Sequence, residues 1–493
     1  MKRTVLFTVL GFAASSGLTG QAASKEALPS KPAADKKPNV VLMLADNIGY
    51  GDLGCYGGGP TRGMETPRID QLSASSIRFT QFCVEPGSTP SRAALLTGRY
   101  SIRSGLSTII VPGTQNTLNA NEVTLAEMLK DAGYDTAIYG KWHLGVDEQS
   151  LPHNQGFDDY YGILNSSDDT FVRATMAKYH APQVPDERLP YIVQAKRGGK
   201  LEMVKPYTFD TRRTIDLEIA DRSVNFIRKE AQARRQFFLY IPWTRPHFPC
   251  YVTKEFEGKS RIGRFGDCME ELDYNVGRVL DALKEAGIED NTIVIFCSDN
   301  GPMTTNVIDQ DDAGFAGPYR GELGDPTEGS IRTCGMIRWP NKIIPGVSNE
   351  MFSIMDFYPT LARVTGAALP ADRPIDGIEQ SDYLLGRQPT SNRESLLTFI
   401  GDKMVAVRWR QWRVYMVDTQ STGVGSWKLG GLGSTFTSLV YPEIYNIEFD
   451  PREEKNIATT VGWVGVPVMR AIMNYKKTLK DHPNPSAANL TNF

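Results

Sequence analysis

In Asn39-Val40-Val41-Leu42-Met43-Leu44-Ala45-Asp46-Asn47 an unbroken apolar run from Val40 to Ala45 ends on two polar residues. The run from Val40 to Leu44 is too short for a buried helix. It also lacks the polar–apolar alternation of a strand with one wet face, so it reads as a strand buried on both faces. Thr136–Tyr139, Phe237–Ile241 and Thr292–Cys297 have the same texture. Helical segments lie between them. Thr124-Leu125-Ala126-Glu127 is a capping box that opens a helix closed by Gly133. Thr214–Ala231 follows as a second helix. Met269, Leu272, Val276, Val279, Leu280 and Leu283 form the apolar face of a third, stopped at Gly287. Strands alternating with helices predict an α/β fold in which helices sandwich a large, mixed, mostly parallel sheet.

From about Ser391 the pattern changes. Lys403–Asp418 alternates apolar with basic or aromatic residues, and Tyr445–Phe449 is another short strand before Asp450-Pro451. These predict a smaller antiparallel sheet, completed by a helix near Pro467–Leu479. The N-terminus reads differently again. Lys2 and Arg3 precede an apolar run from Val5 to Ala14 and small residues through Ala23, the order of a secretory signal. Ten apolar residues are too few to span a bilayer, so no stable membrane anchor is expected. The expected organisation is a signal peptide at 1–23, a linker at 24–37, a catalytic domain at 38–390 and a C-terminal subdomain at 391–493. The protein is expected to be exported, to a bacterial periplasm or the medium.

Across 493 residues the formal net charge is −3, which gives no reason to expect a nucleic-acid partner. An anion site must therefore be built locally. The six cysteines form no C-x-x-C pair, which argues against a structural zinc site. Their pairing is open, and buried free thiols suit most of them.

In open α/β sheets, ligands gather at the carboxyl ends of the strands. Asp46 and Asn47 follow the first strand, Lys141 and His143 the second, His247 the third, and Asp299 and Asn300 the fourth. Each has a plainer reading, as a turn, a cap or a hydrogen-bonded structural histidine. Their joint arrival at one rim favours function. The oxygens of Asp46, Asn47, Asp299 and Asn300 suit calcium or magnesium, leaving His143 and His247 for proton transfer. Ser88-Thr89-Pro90-Ser91-Arg92 opens a further short helix that ends at Gly98. Ser88 or Thr89 would cap it, and its start would present N–H groups to an anion, with the Arg92 guanidinium one turn in.

Ser88-Thr89-Pro90-Ser91-Arg92-Ala93-Ala94-Leu95-Leu96-Thr97-Gly98-Arg99 closely resembles the type I sulfatase signature (C/S)-x-P-(S/T)-R. Gly140-Lys141-Trp142-His143-Leu144-Gly145 resembles the second signature. Further blocks similar to the family's are Pro38 to Gly54, Ser298-Asp299-Asn300-Gly301, Glu328-Gly329-Ser330-Ile331-Arg332, Asp356-Phe357-Tyr358-Pro359-Thr360 and Tyr445-Asn446-Ile447. The resemblance runs from about Pro38 to about Asn456. It implies an alkaline-phosphatase-like fold and an arylsulfatase-like sulfuric ester hydrolase of the serine type found in bacteria. Ser88 would be oxidised to formylglycine by a radical sulfatase-maturing enzyme, and one calcium ion would be held by Asp46, Asn47, Asp299 and Asn300. One oxygen of the formylglycine hydrate would attack sulfur, and the second, deprotonated by His143, would expel sulfate. Arg92 and Lys141 would orient the hydrate and stabilise the anion, and His247 would protonate the leaving oxygen. The substrate would be a sulfated small molecule or glycan.

Two positions depart from the family pattern. Asn47 stands where many members have Asp, and Leu323 stands where a Lys usually contacts sulfate. Either a residue elsewhere compensates, for example a loop arginine such as Arg245 or Arg320, or leaving-group protonation rests on His247 alone. Aromatics in Tyr160–Asp169 and Trp409–Tyr441 suit either stacking on a substrate ring or plain packing. Competing functions are a phosphate or phosphonate monoester hydrolase on the same fold, and a degenerate sulfatase that binds sulfated glycans without turnover.

Overall fold

The computed structural model describes residues 36–111, 116–179, 189–305, 310–421 and 434–488. The signal peptide and most of the linker expected from the sequence lie outside these residues, as do residues 112–115, 180–188, 306–309, 422–433 and 489–493. Residues 37–493 form one compact unit.

Eleven strands make the main sheet: β1 (Asn39–Asp46), β2 (Ile77–Cys83), β3 (Asp135–Lys141), β4 (Asp159–Ile163), β5 (Tyr191–Lys196), β6 (Glu202–Pro206), β7 (Phe237–Pro246), β8 (Thr292–Ser298), β9 (Arg332–Thr333), β10 (Gly335–Arg338) and β11 (Gly346–Ser353). Their order is β11-β2-β10-β8-β1-β7-β3-β4-β5-β6, with β9 added beside β2. The four strands read from the sequence are β1, β3, β7 and β8. They are consecutive in space and parallel, with β4 continuing the parallel set. Antiparallel strands flank them on both sides.

Burial of β1 on both faces follows from its sequence. Val40, Leu42 and Leu44 enter one core layer, and Val41, Met43 and Ala45 the other. This is the period-2 consequence of a strand with helices above and below it. Helices Ser88–Thr97, Leu125–Asp131 and Phe357–Thr365 cover the first layer. Pro67–Ala74, Phe209–Ala233 and Arg264–Glu285 cover the second. The capping box at Thr124 forms as read, with Glu127 N–H donating to Thr124 Oγ1 at 3.1 Å. The helix expected from Thr214 starts five residues earlier, because Thr208 and Thr211 form a capping box of their own.

The C-terminal sheet runs β12 (Ser395–Ile400), β13 (Lys403–Trp409), β14 (Trp412–Ser421) and β15 (Ser434–Asn446), all antiparallel. The alternating stretch Lys403–Asp418 is thus two strands, turned at Arg410, whose φ is +51°. The strand expected at Tyr445–Phe449 is instead the end of the longer β15, which stops at Asn446. Helix Gly465–Thr478 packs Val468, Ile472 and Tyr475 into the first core layer with Leu396, Leu397, Val407 and Val414. All six cysteines are free, five of them buried and Cys55 half-buried. No helix among the described residues is long and apolar enough to cross a membrane.

Candidate active site

Parallel register brings the expected residues to one edge of the sheet. Ala45 of β1 pairs with Ser298 of β8, and Asp46 with Pro246 of β7. The chain beyond these points therefore delivers Asp46, Asn47, His247, Asp299 and Asn300 side by side. Lys141 ends β3 opposite Ile163 of β4, and His143 follows it. Asn47 and His143 adopt left-handed backbone conformations, with φ of +72° and +59°. Such conformations are uncommon outside glycine, are most accessible to Asn, Asp and His, and concentrate at functional sites.

Ser88 is the first residue of its helix and is not the cap. The cap is Gly87, extended at φ −156°, and it makes no side-chain cap hydrogen bond. Thr89 accepts from the Ile110 N–H at 3.1 Å. The expectation that Ser88 or Thr89 caps the helix is thus corrected: both side chains serve contacts outside it. Ser88 Oγ lies 3.0 Å from Arg92 Nε and 3.2 Å from His143 Nδ1.

Arg92 is fully buried and organises the centre. Its Nη2 donates to Asp299 Oδ2 at 2.9 Å and its Nη1 to the Lys141 carbonyl at 3.1 Å, with Asp46 Oδ1 at 3.7 Å. Lys141 Nζ reaches Asp46 Oδ2 at 2.8 Å and Ser166 Oγ at 3.4 Å. Two cations thus face two carboxylates, and all four side chains are fully buried. Burial, and after it the Asp46 charge, raise the Asp299 carboxyl, while Arg92 and Lys141 oppose the rise. Arg92 is itself held above its ordinary value, because burial lowers it less than Asp299, Tyr240 and Asp46 raise it.

The two histidines have definable tautomers. His143 Nε2 lies 2.9 Å from the Ile110 carbonyl, which can only accept, so Nε2 carries the hydrogen. Nδ1 is then a lone pair facing Ser88. His247 Nδ1 lies 2.6 Å from the Phe248 carbonyl and carries its hydrogen by the same argument, leaving Nε2 to accept from Ser166 at 3.3 Å. Burial, then Lys141, lowers both rings, His143 well below its ordinary value and His247 to about 4. In the free protein at neutral pH, His143 is therefore a poised acceptor toward Ser88. His247 is neutral too, and must take up a proton before it can give one.

Asp46 Oδ1 and Asn300 Oδ1 are buried oxygens with no hydrogen-bond partner. A buried carboxylate oxygen left bare is costly unless a cation completes it. The donor set is also all hard oxygen, so the residues fit calcium. Among the described residues no group of three or more His, Cys, Asp and Glu could hold a metal. This site mixes two carboxylates with amides.

Ser166 was missed in the sequence. It lies three residues past the end of β4 and links Lys141 to His247. The strand-end rule would have found it, but Tyr160-Tyr161-Gly162-Ile163 carries too weak a strand signal. Tyr160 and Tyr161 are buried, so packing is their role. Trp409 and Trp412 meet Trp463 edge-on, which is also packing. Leu323 is half-buried, and its loop is pinned beside the site by Leu323 N–H to Pro302 O and Gly324 N–H to Pro86 O. Neither suggested arginine is free to stand in for a lysine there. Arg245 is buried against Glu271 and Asp216, and Arg320 pairs with Glu453 at 3.0 Å.

Comparison with known proteins identifies the family. Residues 38–367 match the Sulfatase family. Human arylsulfatase A is 34% identical over 470 residues, covering 90% of this chain and 88% of that protein. Human steryl-sulfatase is 30% identical over 497 residues, covering 85% and 84%. The crystal structure of the PsFucS1 sulfatase from Pseudoalteromonas sp. superposes with a TM-score of 0.84 at 31% identity, covering 92% of each chain. With its serine-led helix and strand-end residues in place, this chain belongs to the sulfatase family and is a sulfuric ester hydrolase.

Proposed function

We propose that the protein is an exported, calcium- and formylglycine-dependent sulfatase that hydrolyses an aryl or carbohydrate sulfate monoester. The observation that carries this reading is Ser88 Oγ, held at a helix N-terminus between Arg92 Nε and the lone pair of His143 Nδ1. When present, the formylglycine hydrate supplies one oxygen for attack on sulfur and a second for expulsion of sulfate, and calcium polarises the sulfuryl oxygens. Asp46, Asn47, Asp299 and Asn300 would hold the cation. Arg92 fixes the side chain at position 88 through Nε and offers its charge to the developing anion. Lys141, aligned by Asp46 and Ser166, faces the same space. His143 accepts a proton at Nδ1 while the Ile110 carbonyl holds its other nitrogen. His247, linked to Ser166, protonates the departing oxygen once it has itself been protonated. Export follows from the charged and apolar order of residues 2–14, and maturation at Ser88 requires a radical maturing enzyme.

Parallel assays of matured protein on p-nitrophenyl sulfate and p-nitrophenyl phosphate test this reading, with sulfate turnover expected to dominate. Phosphate turnover larger by orders of magnitude would replace it with a phosphatase. No sulfate release from material of confirmed formylglycine content would leave a binding protein.

The pH dependence has a definite sign. A base must be unprotonated to act, and His143 is held well below its usual value of 6.5. It stays competent as pH falls through the ordinary histidine range. The acid limb of kcat should therefore lie below pH 6.5, and a midpoint at or above that value would remove His143 as the base.

A further inference from the structure

Three residues after His247 the chain lays Cys250 against helix Arg264–Glu285, where its thiol shares a hydrogen bond with that of Cys268. The contact is fixed from both sides. The Thr253 N–H and Oγ1 both donate to Glu271 Oε1, at 3.2 and 2.7 Å. Cys250 and Thr253 thus lie alongside Cys268 and Glu271, three residues apart in each segment. At the start of the helix, Arg264 Nε donates to Asp312 Oδ1 at 2.7 Å, and the Asp312 carbonyl lies 4.0 Å from Cys250 Sγ. Both thiols are free in the structure and both are buried in the second core layer. The other cysteines are placed differently. Cys297 and Cys334 enter opposite core layers, and Cys83 Sγ faces Arg408 Nη1 at 3.4 Å.

We propose that Cys250 and Cys268 are a disulfide site, closed as the chain folds in an oxidising compartment, and that the bridge fastens the segment after His247 to the helix. This rests on the export reading above, because disulfides persist in the periplasm and outside the cell. The oxidant is a donor disulfide, of the kind carried by a thiol–disulfide oxidase or by oxidised glutathione. One cysteine thiolate attacks a donor sulfur, forming a mixed disulfide and releasing one donor thiol. The second thiolate attacks the protein sulfur of that mixed disulfide, and the second donor thiol leaves. Two protein thiols are oxidised, the donor disulfide is reduced by the same two electrons, and both protons end on donor sulfurs. The exchange belongs to folding. Once the chain is folded, neither buried sulfur can meet a donor. Burial, and after it Cys268, also hold the Cys250 thiol well above its ordinary value, so little thiolate remains. The closed bridge is shielded from reductants by the same burial, which makes it a fastening and not a switch.

The test reads the sulfurs directly. Full-length protein recovered from the periplasm or medium of a bacterial host is unfolded in guanidinium with N-ethylmaleimide and digested without reductant. Mass spectrometry should find one cross-linked peptide joining Cys250 to Cys268, two hydrogens lighter than its two halves together. Alkylation of both residues in exported protein would overturn the proposal. Reduced protein refolded in a glutathione redox buffer should form the same bridge, and its absence there would overturn the proposal as well. A chain that bridges on refolding but stays in the cytosol with free thiols would remove the export reading and leave the pairing standing. The bridge closes a loop of 18 residues. Reducing it in denaturant before titration should therefore shift the unfolding equilibrium of the wild type about 10²-fold toward the unfolded chain. Cys268→Ala should unfold identically with and without reductant. Should that variant fail to fold, the oxidised and reduced wild type still decide the point, and equal midpoints for the two would overturn the fastening role.

Discussion

Ser88→Ala is expected to reduce sulfate release by about 10⁴–10⁶-fold, the scale on which losing a nucleophile acts. The chain should still fold. Ser88 is N1 of its helix, where the cap is already Gly87, and alanine is a good helix former there. The variant gives up only the contacts from Arg92 Nε and to His143 Nδ1. An unmodified serine offers one oxygen. If that oxygen attacked sulfur, the resulting ester would have no second oxygen on the same carbon to expel sulfate, and turnover would stop. Activity should therefore scale with the fraction of chains whose position-88 peptide has lost two hydrogens in mass spectrometry, and extrapolate to zero when that fraction is zero. Full turnover from protein without the mass loss would overturn the mechanism and return Ser88 to an ordinary hydroxyl.

How much of this was legible in the sequence depended on burial. The four central strands announced themselves because both their faces lie in core, so each carries a mostly apolar run. The flanking strands did not. In β2, Arg78, Thr80 and Gln81 interrupt the apolar residues, and β10 is only four residues long. The rim residues followed from the strands that were seen, which is why Asp46, Lys141, His247 and Asp299 were named and Ser166, at the end of the unread β4, was not. The contact between the Asn47 and Asn300 amides lies beyond any sequence pattern, because it joins residues 253 positions apart. The same limit applied to Arg245 and Arg320, whose acidic partners become neighbours only in the folded chain.

Arg92→Met should be the most destabilising single change at the site, for an electrostatic reason. Arg92 contributes one fully buried fork to Ser88, Asp299, Asp46 and the Lys141 carbonyl. Methionine fills much of the volume, so the loss is mainly charge. Lys141 remains on Asp46, but Asp299 is left with the backbone N–H of Asn47, the Ser88 hydroxyl and a more distant cation. Its carboxyl, already raised by burial and by Asp46, should rise further once the opposing Arg92 charge is gone. Removing one partner of a buried pair costs about 3–5 kcal/mol, and that deficit is expected in denaturant unfolding with chelator present. Calcium supplies positive charge to the same oxygens, so saturating calcium should recover part of the deficit and stabilise the variant more than the wild type. Recovery with calcium separates a charge defect from a packing defect, which calcium would leave untouched. Activity should stay at least about 10²–10³-fold down even with calcium bound, because the cation replaces charge but not the guanidinium that orients position 88. Arg92→Lys should fold better than Arg92→Met and remain as inactive, since an ammonium restores charge without the planar fork. Stability within about 1 kcal/mol of wild type for Arg92→Met in chelator would mean that Asp299 is neutral in the metal-free protein, and that the pair forms only once calcium holds the carboxylate ionised.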